Sequence, residues 1–75
     1  MLNNIEAERV RNQLSKEELS KKMGISVKTY YNWVNEETNI PGSALLGLSF
    51  LFNADVGYLL QGSKFEKEGH IANLV

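Results

Sequence analysis

Cysteine is absent from this 75-residue chain, which excludes a disulfide framework and a thiolate zinc site. Proline occurs once, as Pro41. The residue before it, Ile40, is pushed toward an extended conformation, so no helix should run through this point. Long apolar runs are also missing. The longest apolar-rich stretch, Ala44 to Phe52, is far too short to span a bilayer. No basic segment followed by an apolar run opens the sequence, so no signal peptide is expected and the expected location is the cytoplasm. Neither sign of charge dominates, with 8 Lys and Arg against 9 Asp and Glu and a net charge of −1. That balance lowers the expectation of tight non-specific attraction to nucleic acid, which is almost wholly electrostatic. It leaves open which face each charge occupies. The lone histidine, His70, makes neither a metal site nor a general base. No nucleophile–base pair, metal cluster or phosphate-cradling glycine loop is visible, so no enzymatic activity, cofactor or small-molecule substrate is expected.

The sequence that remains has the makings of one small domain. Its hydrophobic fraction of 43% is too high for a disordered chain. A domain of this size buries only roughly 60% of its extended-chain surface, so its core must be efficient or a partner must help. There is no internal repeat. Asn4 to Gln13 reads as a first helix. Ser15 opens a second with a capping box: its hydroxyl accepts from the Glu18 amide while the Glu18 carboxylate reaches back. Leu19 and Met23 give that helix an apolar face, with Lys16, Glu17, Lys21 and Lys22 outward. Gly24 is the natural left-handed stop, and Ser26 caps a third helix to about Val34. Asn35 to Asn39 reads as a loop, Ser43 as the cap of a fourth helix to about Phe52, and Asp55 as the cap of a short fifth, Val56 to Leu60, ended by Gly62. The expected fold class is therefore all-α, a compact bundle of five helices. Residues 1–62 would form the domain, and 63–75 a tail that is loosely ordered or a dimer contact through Phe65, Ile71, Leu74 and Val75.

Helices two and three are joined by the tight turn Met23-Gly24-Ile25. Leu19, Met23 and Ile25 supply its inner contacts. Tyr30, Trp33 and Val34 supply the inner face of helix three, and core positions are expected for both aromatics. Val27, Lys28, Tyr31 and Asn32 stay outside, and spacings of three and four put the last three of these on a single face. An apolar inner face and a polar outer face are what a helix needs to pack at home and enter a major groove.

The stretch LSKEELSKKMGISVKTYYNWVNEETNIP resembles the lambda-repressor, Cro and XRE-type helix-turn-helix family. The closing segment Ala54 to Gly62 is similar to that family's short last helix, and the opening Ile5-Glu6-Ala7-Glu8-Arg9 resembles small phage-encoded members. The resemblance covers Asn4 to Gly62. It implies a five-helix lambda-repressor-like DNA-binding domain that regulates transcription, as a repressor or an activator, with double-stranded operator DNA as partner. It further implies a homodimer on a two-fold related operator.

Carried onto this chain, the resemblance implies a phosphate contact for Lys16, where the family usually has Gln. Val27, Lys28 and Asn32 match base-reading positions: Val27 toward a thymine methyl, Lys28 toward guanine O6 and N7, Asn32 toward adenine. Tyr31 would flank them against backbone or sugar. Asn35, Thr38, Asn39 and Ser43 match the loop and helix start that grip phosphates. Two departures stand out. Glu36 and Glu37 occupy places where members often carry Gly and a basic residue, and carboxylates beside a phosphate track repel it, though screened beyond roughly 8 Å at physiological salt. Arg9 commonly pairs in the family with a Glu at the position held here by Val34, so it must find another partner or face the DNA. The net charge and the Glu36–Glu37 pair also motivate a second reading, a protein-interaction module of antirepressor or antitoxin-like type that keeps the fold without the DNA activity.

Overall fold

A computed structural model describes residues 1–63. Among them every regular element is helical: α1 (Asn3–Arg11), α2 (Lys16–Met23), α3 (Val27–Val34), α4 (Gly42–Phe52) and α5 (Val56–Leu59). Fold class and helix order agree with expectation. The reading of the tail from residue 64 onward concerns residues outside the described ones. No helix among the described residues is long and apolar enough to cross a membrane.

Local chemistry sets most helix ends. Ser15 accepts from the Glu18 amide at 3.0 Å and the Glu18 carboxylate accepts from the Ser15 amide at 2.8 Å, which is the capping box in full. The Ser15 amide, first, and its hydroxyl hold the Glu18 carboxyl below its ordinary range. Ser26 caps α3 through the Thr29 amide, and Asp55 caps α5 through the Tyr58 amide. Gly24 closes α2 at φ 71°, with its amide on the Lys21 carbonyl and the Ile25 amide on Ser20; this is a Schellman stop. Asn53 closes α4 in the same way at φ 50°. Replacing Gly24 by Ala leaves the added Cβ in open space but forces a left-handed alanine. The expected loss is about 1–2 kcal/mol, read as a fall in thermal midpoint of roughly 4–16 °C for a domain this small.

α1 begins one residue early, at Asn3, α5 ends one residue early, at Leu59, and two boundaries differ from expectation by two residues. α1 stops at Arg11, because Asn12 turns its amide and side chain onto the Glu8 carbonyl and Gln13 takes φ 57°. α4 starts at Gly42, behind Pro41 in the cap position rather than behind a Ser43 cap, and no side chain caps it. Proline's fixed φ suits a helix start, so the chain enters α4 two residues earlier than a Ser43 cap would allow.

The core is built from one to three residues of every helix together with Leu2 ahead of α1: Leu2, Ile5, Leu19, Tyr30, Val34, Leu45, Leu48, Phe52 and Leu59. α2 packs on α3, α4 on α5, and α1 crosses α3, α4 and α5. Tyr30 is buried as expected; Trp33 is only half-buried. It lies between two clefts, one lined with Leu2, Leu45 and Leu60, the other with Met23, Ile25 and Leu51. Ser20 is buried in α2, and its hydroxyl has no hydrogen-bond partner among the described residues. An unpaired buried hydroxyl costs about 1–3 kcal/mol. The site takes a small residue for close helix approach rather than for a polar contact.

Arg9 finds its partner within its own helix. Its Nε and Nη2 donate to Glu6 Oε2 and Oε1 at 3.1 and 3.0 Å, and Nη1 donates to the Leu14 carbonyl at 2.7 Å. The Tyr30 hydroxyl donates to the same Glu6 carboxylate. One ionised carboxylate thus ties α1 to the buried tyrosine of α3, and Arg9 anchors the entry to α2. Glu8, also buried, accepts from the Tyr58 hydroxyl at 3.2 Å. Arg11 Nη2 lies 3.4 Å from its other oxygen, near enough to offset the charge though not placed for a hydrogen bond.

Candidate nucleic-acid interface

The capped turn between α2 and α3 leaves one long face of α3 uncovered. Tyr30 and Val34 are buried on the inner side; Lys28 and Tyr31 are exposed, and Val27 and Asn32 half-buried, on the outer side. None of the nine residues singled out from the sequence belongs to the core. Asn35, Thr38 and Asn39 are exposed on the segment that leads from α3 to α4, and Ser43 is exposed in the first turn of α4.

Structure brings Lys16 and Tyr31 together. Lys16, first residue of α2, donates through Nζ to the Tyr31 hydroxyl at 2.5 Å and lies 4.3 Å from the ring centroid. The ammonium is held over an aromatic face at the α2 N-terminus, where the helix dipole is positive. The pair bridges the two helices of the turn on their exposed side. A contact between residues fifteen apart in sequence has no periodic signature and could not be read from spacing. The remaining seven residues are placed by backbone. The Asn32 carbonyl accepts from the Glu37 amide at 2.8 Å and the Thr38 amide at 3.3 Å, fixing the loop to the end of α3.

At the start of α4 the sequence reading needs refinement. Ser43 caps nothing, since Pro41 holds the cap position and no side chain engages the first turn. The leading amides of an uncapped helix are donors for an anion. The missed signal was Pro-Gly at the helix start, which places the first helical amides two residues earlier.

The two glutamates behave differently from each other. Glu36 takes φ 60° and its carboxylate pairs with the Met1 amino group at 3.0 Å, its side chain only 14% exposed. It is therefore turned toward the N-terminal segment instead of forming a solvated acidic pair with Glu37, which is exposed. Neutralisation by the amino group weakens the repulsion expected of it. Among the described residues no group of three or more His, Asp or Glu is placed to hold a metal ion.

A family model described as Helix-turn-helix matches residues 5–59. The match runs from α1 to the end of α5 and includes both helices of the turn. Comparison with curated proteins and with solved structures gives no match.

Proposed function

The chain belongs to the lambda-repressor/Cro-like helix-turn-helix family of DNA-binding regulators, and from that premise we propose that it is a sequence-specific, phage-type cytoplasmic repressor that lays α3 in the major groove of its operator. The observation that carries this reading is the outer face of α3. Lys28 and Asn32 stand on it clear of the core, with the Lys16–Tyr31 pair beside them. Lys28 presents a point charge to the acceptor pair of a guanine, and Asn32 an amide matched to the donor and acceptor of an adenine. Val27 adds an apolar contact for a thymine methyl. Lys16 and Tyr31 take the backbone on the α2 side. Asn35, Thr38, Asn39, Ser43 and the open α4 amides take it on the other. Two copies place their recognition helices about 34 Å apart, one turn of DNA.

The decisive experiment selects binders from a randomised duplex pool and follows affinity for the winner against salt by fluorescence polarisation. Enrichment of a two-fold related sequence, with affinity falling steeply as salt rises, supports the reading. No enrichment, and no binding even at low salt, overturns it and returns weight to a protein-interaction module.

Lys16 gives a separate check. Lys16→Ala removes one phosphate charge and frees Tyr31, so binding should weaken to all sequences alike. The slope of log affinity against log salt should drop by about 0.9. A loss of sequence preference without a change in slope would move Lys16 from the backbone to the bases.

A further inference from the structure

Beside the end of α5 lies an open cleft of about 250 Å³, with Leu2, Trp33, Ile40, Leu45 and Leu60 giving it a mostly apolar lining. Ile40 and Leu60 pack on the core yet stay only half-buried, as does Trp33. Apolar side chains around a recess forgo dispersion contacts on the open side. The one charged side chain on the lining is Glu36, and it is paired with the Met1 amino group.

We propose that Phe65 of the same chain docks in this cleft and braces the loop between α3 and α4 from behind. The brace deepens the DNA-binding reading above and rests on it; the docking itself does not. Where the described chain ends selects this occupant. Gly62 takes φ 84° and turns the backbone toward the N-terminal segment, so that a Cβ added there would meet the Met1 carbonyl oxygen at 3.5 Å. Ser63 follows on the cleft wall, buried, with its amide on the Leu60 carbonyl at 3.1 Å. Phe65 comes two residues later and is the only aromatic residue beyond Ser63. Its Cα can stand no more than about 7 Å from that of Ser63, and its ring can meet the Trp33 indole edge to face or offset.

The same observations disfavour other occupants. A cavity of about 250 Å³ falls below the roughly 300–1,000 Å³ of a small-molecule site. An ionic partner meets only a carboxylate that is already paired. A Phe65 belonging to another molecule must be supplied from solution, whereas one tethered so close acts at an effective concentration on the order of mM.

The loop that this ring would support is the one proposed to grip phosphates. Glu36, Thr38, Asn39 and Ile40 all border the cleft. The Glu37 and Thr38 amides tie the loop to α3 through the Asn32 carbonyl, and a ring behind Ile40 holds its other side. Thr38 and Asn39 remain exposed at the rim, so the docked segment sets their position and leaves them open to DNA. Donors fixed in advance lose less freedom on binding.

The test uses the full chain, first without DNA. Nuclear Overhauser spectra should show contacts from the Phe65 ring to the Leu45 and Leu60 methyls and to the Trp33 indole. In a mixture of labelled and unlabelled chains, spectra filtered for contacts between molecules should lack them. Phe65→Ala should move the emission of Trp33, the chain's only tryptophan, to the red and lower the thermal midpoint by roughly 3–12 °C, since the open cleft covers only part of the ring. Phe50→Ala, at a side chain 85% exposed on α4, should leave the Trp33 emission unchanged. On DNA, Phe65→Ala should weaken binding to the selected operator and to its single-base variants alike, by about 2–12-fold, with base preferences intact. Absence of the Phe65 contacts overturns the proposal, and contacts seen only between molecules overturn it in favour of a second copy. A docked ring with equal DNA affinity in the wild type and Phe65→Ala overturns the brace. If the chain recognises no DNA, the spectra still decide the docking, so the two readings fail separately.

Discussion

Lys28→Ala and Asn32→Ala are each expected to weaken binding to the selected operator by about 1–3 kcal/mol, roughly fivefold to more than a hundredfold. Both positions lie on the outer face of α3 and neither side chain is part of the core, so thermal midpoints should stay close to that of the wild type. The two variants should differ in kind. Asn32 carries no charge, so its removal should leave the salt dependence intact and relax preference at one base pair only. Lys28→Ala should relax preference at a different base pair and also lower the salt slope slightly, since any cation near the phosphates contributes to it. Polarisation titrations against the operator and against single-base variants at two salt concentrations read both effects. If both alanine variants keep wild-type affinity and the same base preferences, α3 is not the reading element.

Glu6→Ala is expected to be the most damaging single change outside the apolar core. It removes the bidentate partner of Arg9 and the acceptor of the buried Tyr30 hydroxyl together. Fully buried pairs lose about 3–5 kcal/mol when one member is deleted. With Glu6 and Arg9 22% and 14% exposed, water recovers part of that and about 2–3 kcal/mol is the expected loss. In a domain whose whole stability is about 5–10 kcal/mol, this corresponds to a fall of roughly 8–24 °C in thermal midpoint.

The same site sets a pH dependence. The Arg9 hydrogen bond, opposed by burial and aided by Tyr30, holds the Glu6 carboxyl below its ordinary range. A depressed folded value means that the unfolded chain takes up the proton first. The stability Glu6 supplies is thus complete above about pH 4.3 and is lost as the pH falls through the folded value. Burial, then the neighbouring Glu6 carboxylate, pushes the Tyr30 phenol upward. Its contribution is complete below about pH 10 and is lost as the pH rises beyond that. Urea midpoints of wild type and Glu6→Gln between about pH 2 and pH 7 test the acid limb. Glu6→Gln should flatten it; a decline as steep as in the wild type would assign acid sensitivity to another carboxyl.

Sequence alone determined what depends on neighbours along the chain. The Ser15–Glu18 box, the Gly24 stop, the Ser26 and Asp55 caps and the Pro41 break act through hydrogen bonds or torsions spanning a few residues, and each stands where the sequence places it. The outer face of α3 was legible for the same reason, since positions three and four apart share a side of any helix. Resemblance to a family supplied the roles proposed for those residues, and the match over 5–59 supports the fold on which they sit.

Tertiary structure decided everything that joins distant segments. No periodicity foretells that Lys16 meets Tyr31, that Arg9 replaces a missing partner on α3 with Glu6 on its own helix while Tyr30 shares that carboxylate, or that Glu36 turns toward Met1. Nor could the broad apolar pattern of α4 say which of its sides the core would claim. Leu45 and Leu46 are equivalent to a hydropathy count, yet one is buried at 8% and the other exposed at 55%. Burial of apolar area has no direction of its own. The side that becomes core is chosen only when α1 and α5 pack across α4, and that choice leaves Leu46 and Phe50 outside.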